Sequence, residues 1–149
     1  MSARAISDPP ARDRAIGAVW FAGWAMLAAG LMYLHPVVAS GRVLEGVLFV
    51  VLPGLAALPV GAWLGPRFLD LRIAGPWKSA GFGLLVAMLA HVVFAPLFAF
   101  GWWLTEPGDT SVLAVAWATA SFGFLMVGPI TLPVGALAGW LLYLIGRYR

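Results

Sequence analysis

The charged residues of this chain are gathered into short segments, and between those segments lie four long stretches with no charge at all. They run from Arg14 to Arg42, from Glu45 to Arg67, from Lys78 to Glu106 and from Asp109 to Arg147. An apolar run of about 18 residues or more, wound as a helix, crosses a hydrocarbon layer of about 30 Å. Lipid offers the backbone no hydrogen-bond partner, so each stretch must satisfy its own amides by forming a helix. The expected fold is all-α: a polytopic membrane protein with four transmembrane helices in one integral membrane domain, residues 1–149. The spans are expected over residues 16–38, 43–64, 79–104 and 112–145.

Composition supports this and narrows the function. Only 10% of the residues are charged, against about 25% in soluble domains. The segments between spans are too short for a soluble domain. The formal charge of +3 is too small, and too scattered, to mark nucleic-acid binding. There is no cysteine, which excludes disulfides, thiolate catalysis and cysteine-held zinc or iron–sulfur clusters. The apolar run from Ala15 is longer than the core of a signal peptide, so it is expected to stay as the first span.

Sidedness follows from the basic residues. Arg4, Arg12 and Arg14 precede span one, Arg67, Arg72 and Lys78 lie between spans two and three, and Arg147 and Arg149 close the chain. Only Arg42 falls on the other side, with Glu45, Glu106 and Asp109. Arginine and lysine concentrate on the cytoplasmic face of membrane proteins, so both termini are expected in the cytoplasm, with the chain in a cell inner membrane. Trp63, Trp77, Trp102, Trp103, Trp140, Tyr143 and Tyr148 sit near the expected span ends, the headgroup level that amphipathic rings favour. The fourth stretch is long: a helix over 112–145 would reach about 50 Å. A short hairpin there would carry Arg147 and Arg149 to the wrong side. One tilted or protruding helix, kinked near Gly128-Pro129 and Pro133, is therefore expected.

A repeat lies inside the spans. Leu58-Pro59-Val60-Gly61-Ala62 recurs as Leu132-Pro133-Val134-Gly135-Ala136, with Gly54 matching Gly128 and Gly65 matching Gly139. Met32, His35 and Val37 share their spacing with Met88, His91 and Val93. Two copies of a helical hairpin, related about an axis along the membrane normal, would produce both matches. Small residues recur at every fourth position: Ala57, Gly61 and Gly65; Gly135 and Gly139; Gly83, Ala87, His91, Ala95 and Ala99; Ala18 and Ala22; Ala25 and Ala29. Such stripes let helix backbones approach in lipid, where apolar burial supplies little driving force.

The candidate chemistry is sparse. No Asp, Glu, Lys or Arg lies deep in a span, so neither a catalytic constellation nor the buried carboxylate of a proton-coupled carrier is present. Glu106 to Thr110 reads as a turn and cap for span four, and the segment from Pro66 to Trp77 as a basic strip along the inner surface, with Asp70 able to pair with Arg67. The ionisable groups within spans are His91, on the small-residue face of span three, and His35, towards the outer end of span one. His91 reads either as a neutral ring bonded to backbone or to Thr119, Ser121 or Thr131, or as a cofactor-binding residue. The sequence favours a small non-enzymatic scaffold or accessory subunit with no cofactor and no metal. Its partners would be the bilayer and other membrane subunits or further copies of itself. The alternative is a haem- or quinone-binding protein, with His91 and His35 as ligands, or a small oligomeric transporter. In that alternative the Pro-Gly interruptions at Pro53-Gly54 and Gly128-Pro129 mark a central site or hinge.

Overall fold

A computed structural model describes residues 11–40, 43–69, 75–105 and 111–147, all as helix apart from Gly75 and Ser111 at two helix starts. The helices are α1 (Ala11–Ser40), α2 (Val43–Leu69), α3 (Pro76–Thr105) and α4 (Val112–Arg147). All four contain a stretch long and apolar enough to cross a membrane, which implies contact with lipid. The helices exceed the expected spans mainly at the end where α1 starts and α4 finishes. Polar residues such as Arg12, Asp13 and Arg67 continue the helix there after the apolar stretch has ended. The segments assigned from sequence to the outer cap (Glu106 to Thr110) and to most of the basic strip, Asp70 and Arg72 included, lie outside the described residues, as do Arg4, Arg42 and Arg149.

Local signals explain the described helix starts. Pro76 opens α3 at a position where the missing amide costs nothing, and the Ser79 amide donates to the Gly75 carbonyl at 2.9 Å. Ser111 precedes α4 and its carbonyl accepts the first bond, from the Val115 amide at 3.1 Å, the arrangement of an N-cap residue. α4 is a single helix of 36 residues through Pro129 and Pro133, as the charge pattern required.

The helices pair as α1 with α2 and α3 with α4. Both pairs close at the same end of the bundle, the end holding the start of α1 and the finish of α4, called the base below. In the first pair Gly17 lies against Gly61 and Gly65, and in the second Gly83 lies against Gly135 and Gly139. A Cβ on Gly65 would stand 2.6 Å from the Gly17 Cα, and one on Gly139 would stand 2.9 Å from the Gly83 Cα. Neither backbone can retreat, so only glycine permits these contacts. Ala18 and Ala22 share the α1 contact as expected, the Ala18 Cα lying 3.2 Å from a Cβ on Gly61 and the Ala22 carbonyl 3.4 Å from one on Gly54.

The core lies just above these crossings and is built by all four helices: Phe21, Ala57, Val60, Leu64, Val86, Ala138 and Leu142. Trp20 ties the two pairs together, its indole Nε1 donating to the Ala138 carbonyl at 2.9 Å. Outside the core the helices are apolar nearly all round, and large side chains such as Leu31, Val92, Trp117 and Met126 are exposed. Water would penalise that surface; hydrocarbon does not. At the base, the Arg67 guanidinium lies 5.6 Å from the Trp63 ring centroid, a cation–π contact.

Candidate functional site

Above the core the two helix pairs separate and enclose a partly open cavity of about 210 Å³. Phe21, Ala57 and Val86 belong to both the core and the cavity lining, and all four helices line it. One wall is aromatic. Tyr33 of α1 stacks on Phe49 of α2 at 5.4 Å, Phe49 meets Phe98 of α3 at 5.7 Å, and Phe98 continues the ladder to Phe94 at 5.7 Å. The opposite wall is α4, which presents smaller groups: Thr119, Gly123, Val127 and Thr131.

His91 stands between these walls on α3. Its Nδ1 is 2.9 Å from the Ala87 carbonyl one turn earlier, and its Nε2 is 3.4 Å from Thr131 Oγ1 on α4. The Thr131 hydroxyl in turn donates to the Val127 carbonyl at 3.1 Å. A carbonyl can only accept, so Nδ1 carries the proton; in the neutral ring Nε2 is then a lone-pair acceptor. Phe124 meets the imidazole edge-on at 6.1 Å. His91 is thus held by its own helix and set beside Thr131 of α4, yet it also borders open space.

Of the residues singled out from sequence, the structure brings His91, Thr131, Thr119, Ala87 and Pro53 to one cavity. His35 lies on α1 as expected, but its side chain is outside the described residues. The Pro-Gly interruptions part company. Pro53 lines the cavity, whereas a Cβ on Gly54 would meet Met26 of α1. Gly128 is buried on α4, next to the cavity-lining Val127. Sequence reasoning missed Trp24, Tyr33, Phe49 and the phenylalanines of α3. Their signal was present, since Phe94 and Phe98 fall near His91 at helical spacing, but apolar aromatics inside a span look the same whether they face lipid or a void. No family model, no curated protein and no solved structure matches this chain.

Proposed function

We propose that the chain is a small multi-pass protein of a cell inner membrane that holds a single-ring or similarly small apolar ligand in its central cavity, with His91 and Thr131 as polar contacts. The cavity carries this reading. A space of about 210 Å³ left unfilled between four helices gives up packing contacts. Close packing is the main attraction that helices in lipid possess. A bundle whose base is packed to glycine contact keeps this space because something fills it. Its size lies between a void of ~150 Å³ that takes up benzene and the 300 Å³ or so at which drug-sized sites begin. That suits one ring, such as a quinone or phenol head, far better than a haem macrocycle.

The test is to extract the protein gently and identify by mass spectrometry what stays bound. A stoichiometric ring-bearing small molecule, lost in Ala90→Leu, is expected, because Ala90 lines the cavity and a leucine there occupies it. Bulk phospholipid alone, recovered equally from both proteins, would overturn the reading.

The orientation proposed from sequence goes with it: both termini cytoplasmic, base inward. Five described basic residues, Arg12, Arg14, Arg67, Lys78 and Arg147, stand at the base, which supports this. We also propose that the two helix pairs are copies of one hairpin. Support comes from the matching glycine contacts, in which Gly17, Gly61 and Gly65 correspond to Gly83, Gly135 and Gly139. In that register His91 corresponds to Ala25, not to His35, so the Leu-Pro-Val-Gly-Ala match belongs to the duplication and the shared histidine fragment does not.

A second reading, the scaffold or accessory subunit, is favoured by one observation. The buried residues of α4 all fall from Gly128 onward, and on its first half Leu113, Trp117 and Leu125 form an exposed apolar face. A subunit or a second copy lying there would serve as partner. Recovery of a stoichiometric membrane partner, lost when Leu113, Trp117 and Leu125 are replaced by alanine, would favour it.

A further inference from the structure

We infer that the occupant of this cavity presents a hydrogen-bond donor, a hydroxyl or N–H, to Nε2 of His91, so that phenols, quinols and ring-bearing alcohols fit better than quinones or ring ketones. The inference rests on the cavity-binding reading above and deepens it.

The argument is a proton count. Three acceptors converge where α3 faces α4: the Ala87 carbonyl, the Val127 carbonyl and the imidazole itself. The two carbonyls already accept the helix amides of His91 and Thr131, the imidazole has no such amide, and two side-chain protons are within reach. The Nδ1 proton goes to the Ala87 carbonyl at 2.9 Å. The opposite tautomer would set a bare Nδ1 against a carbonyl at that distance, two lone pairs face to face. The Thr131 proton goes to the Val127 carbonyl at 3.1 Å, the closer of its two acceptors, and so faces away from Nε2 at 3.4 Å. Nε2 is left with a lone pair and no donor of its own among these groups. Because Nδ1 points back along α3, Nε2 is the outward nitrogen, beside Thr131 on the cavity wall.

A ligand hydroxyl completes the set: it donates to Nε2, and its oxygen stands beside the Thr131 hydroxyl. A ligand carbonyl completes nothing. To be satisfied it must take the Thr131 proton; the Val127 carbonyl keeps its helix amide, but Nε2 is still left without a donor. Around this point the lining is apolar and aromatic, with Trp24, Phe94 and Phe98, so a flat ring with one donor at its edge meets the whole cavity. A buried acceptor left unpaired is costly in such surroundings, and that cost is what selects the donor.

The experiment uses the full chain in lipid nanodiscs and ¹⁹F NMR of three probes of one size: 4-fluorophenol (a donor), 4-fluoroanisole (an acceptor only) and 4-fluorotoluene (neither). Protein-free nanodiscs give the partition baseline. All three are expected to show saturable binding. Replacing His91 with Phe is expected to weaken 4-fluorophenol about three- to tenfold, the range of one hydrogen bond, and to leave the other two within that same wild-type affinity. His91→Gln, which keeps an acceptor at the tip of the side chain, is expected to restore the phenol. Equal changes for all three probes, or a loss that Gln does not restore, would mean that His91 acts through shape alone, and the donor inference fails. Saturable 4-fluorotoluene would in that case keep the cavity reading standing. If none of the probes saturates, the cavity reading fails, and the inference with it.

Discussion

The pairs α1–α2 and α3–α4 start alike and end differently. At the base each closes on one glycine set against two, with the same backbone atoms in contact. Higher up they diverge. Gly54 of α2 still packs on α1, where a Cβ would lie 2.5 Å from the Met26 Cγ and 3.4 Å from the Ala22 carbonyl. Its sequence counterpart Gly128 meets only side chains of its own helix, Leu132 and Phe124, at 4.0 Å. At this level a side chain of α1 covers Gly54, while no α3 atom comes within 4 Å of a Cβ on Gly128. Near Gly128, α3 and α4 meet instead through the His91–Thr131 contact beside the cavity. The same motif thus meets its partner helix closely in one hairpin and not in the other, and what differs is the partner: methionine faces Gly54, and nothing from α3 lies that near Gly128.

The largest expected effect tests the shared base. Gly61→Leu and Gly135→Leu each drive a side chain into a facing backbone, and each should destabilise the folded protein by more than about 3 kcal/mol, beyond ordinary overpacking. Thermal unfolding in mild detergent measures it. Similar losses sharpen the equivalence, and a loss confined to one hairpin breaks it. The divergence is tested one level up. Gly54→Leu should cost about 1–3 kcal/mol, since Met26 must move and a carbonyl stands behind it, and Gly128→Leu should cost under about 1 kcal/mol; a reversed order would refute the difference between the two glycines. Trp20→Phe removes the indole bond to the Ala138 carbonyl and leaves the ring. It should cost about 1 kcal/mol, with the loss appearing as weakened association between the hairpins rather than within either.

The smallest effect is a gain. Ser79 is buried beside Gly139 and its Oγ has no hydrogen-bond partner among the described residues. Ser79→Ala should stabilise the protein by up to about 1 kcal/mol, because a desolvated hydroxyl disappears at no cost in packing. A measurable loss on that change would mean that Oγ has a partner after all.

How much of this was legible beforehand can be judged residue by residue. The spacing of Gly61 with Gly65 and of Gly135 with Gly139 identified real contact faces, because periodicity places such pairs on one side of a helix whatever they touch. Gly17 was not legible. It stands in a run of Ala, Ile and Val, and nothing local tells which small residue of α1 sits opposite α2. His91 was legible as the polar group of span three, and Thr131 as one of three hydroxyls within reach. That Thr131 is the one it meets depends on how far α4 is rotated and shifted along α3, a quantity no single helix encodes.

By itself, then, the sequence settled the number of apolar helices and their approximate ends, which follow from the local rule that a backbone in hydrocarbon must bond to itself. That the fourth stretch is one helix and not a hairpin followed from the placement of Arg147 and Arg149. The tertiary structure alone decided which glycines meet, that Gly54 is covered by the partner helix while Gly128 is not, and that a cavity bordered by His91 lies among the four helices. Those outcomes come from the fit of one helix surface against another. In an apolar chain, a side chain facing lipid and a side chain facing a cavity obey the same composition, and only the neighbouring helix distinguishes them.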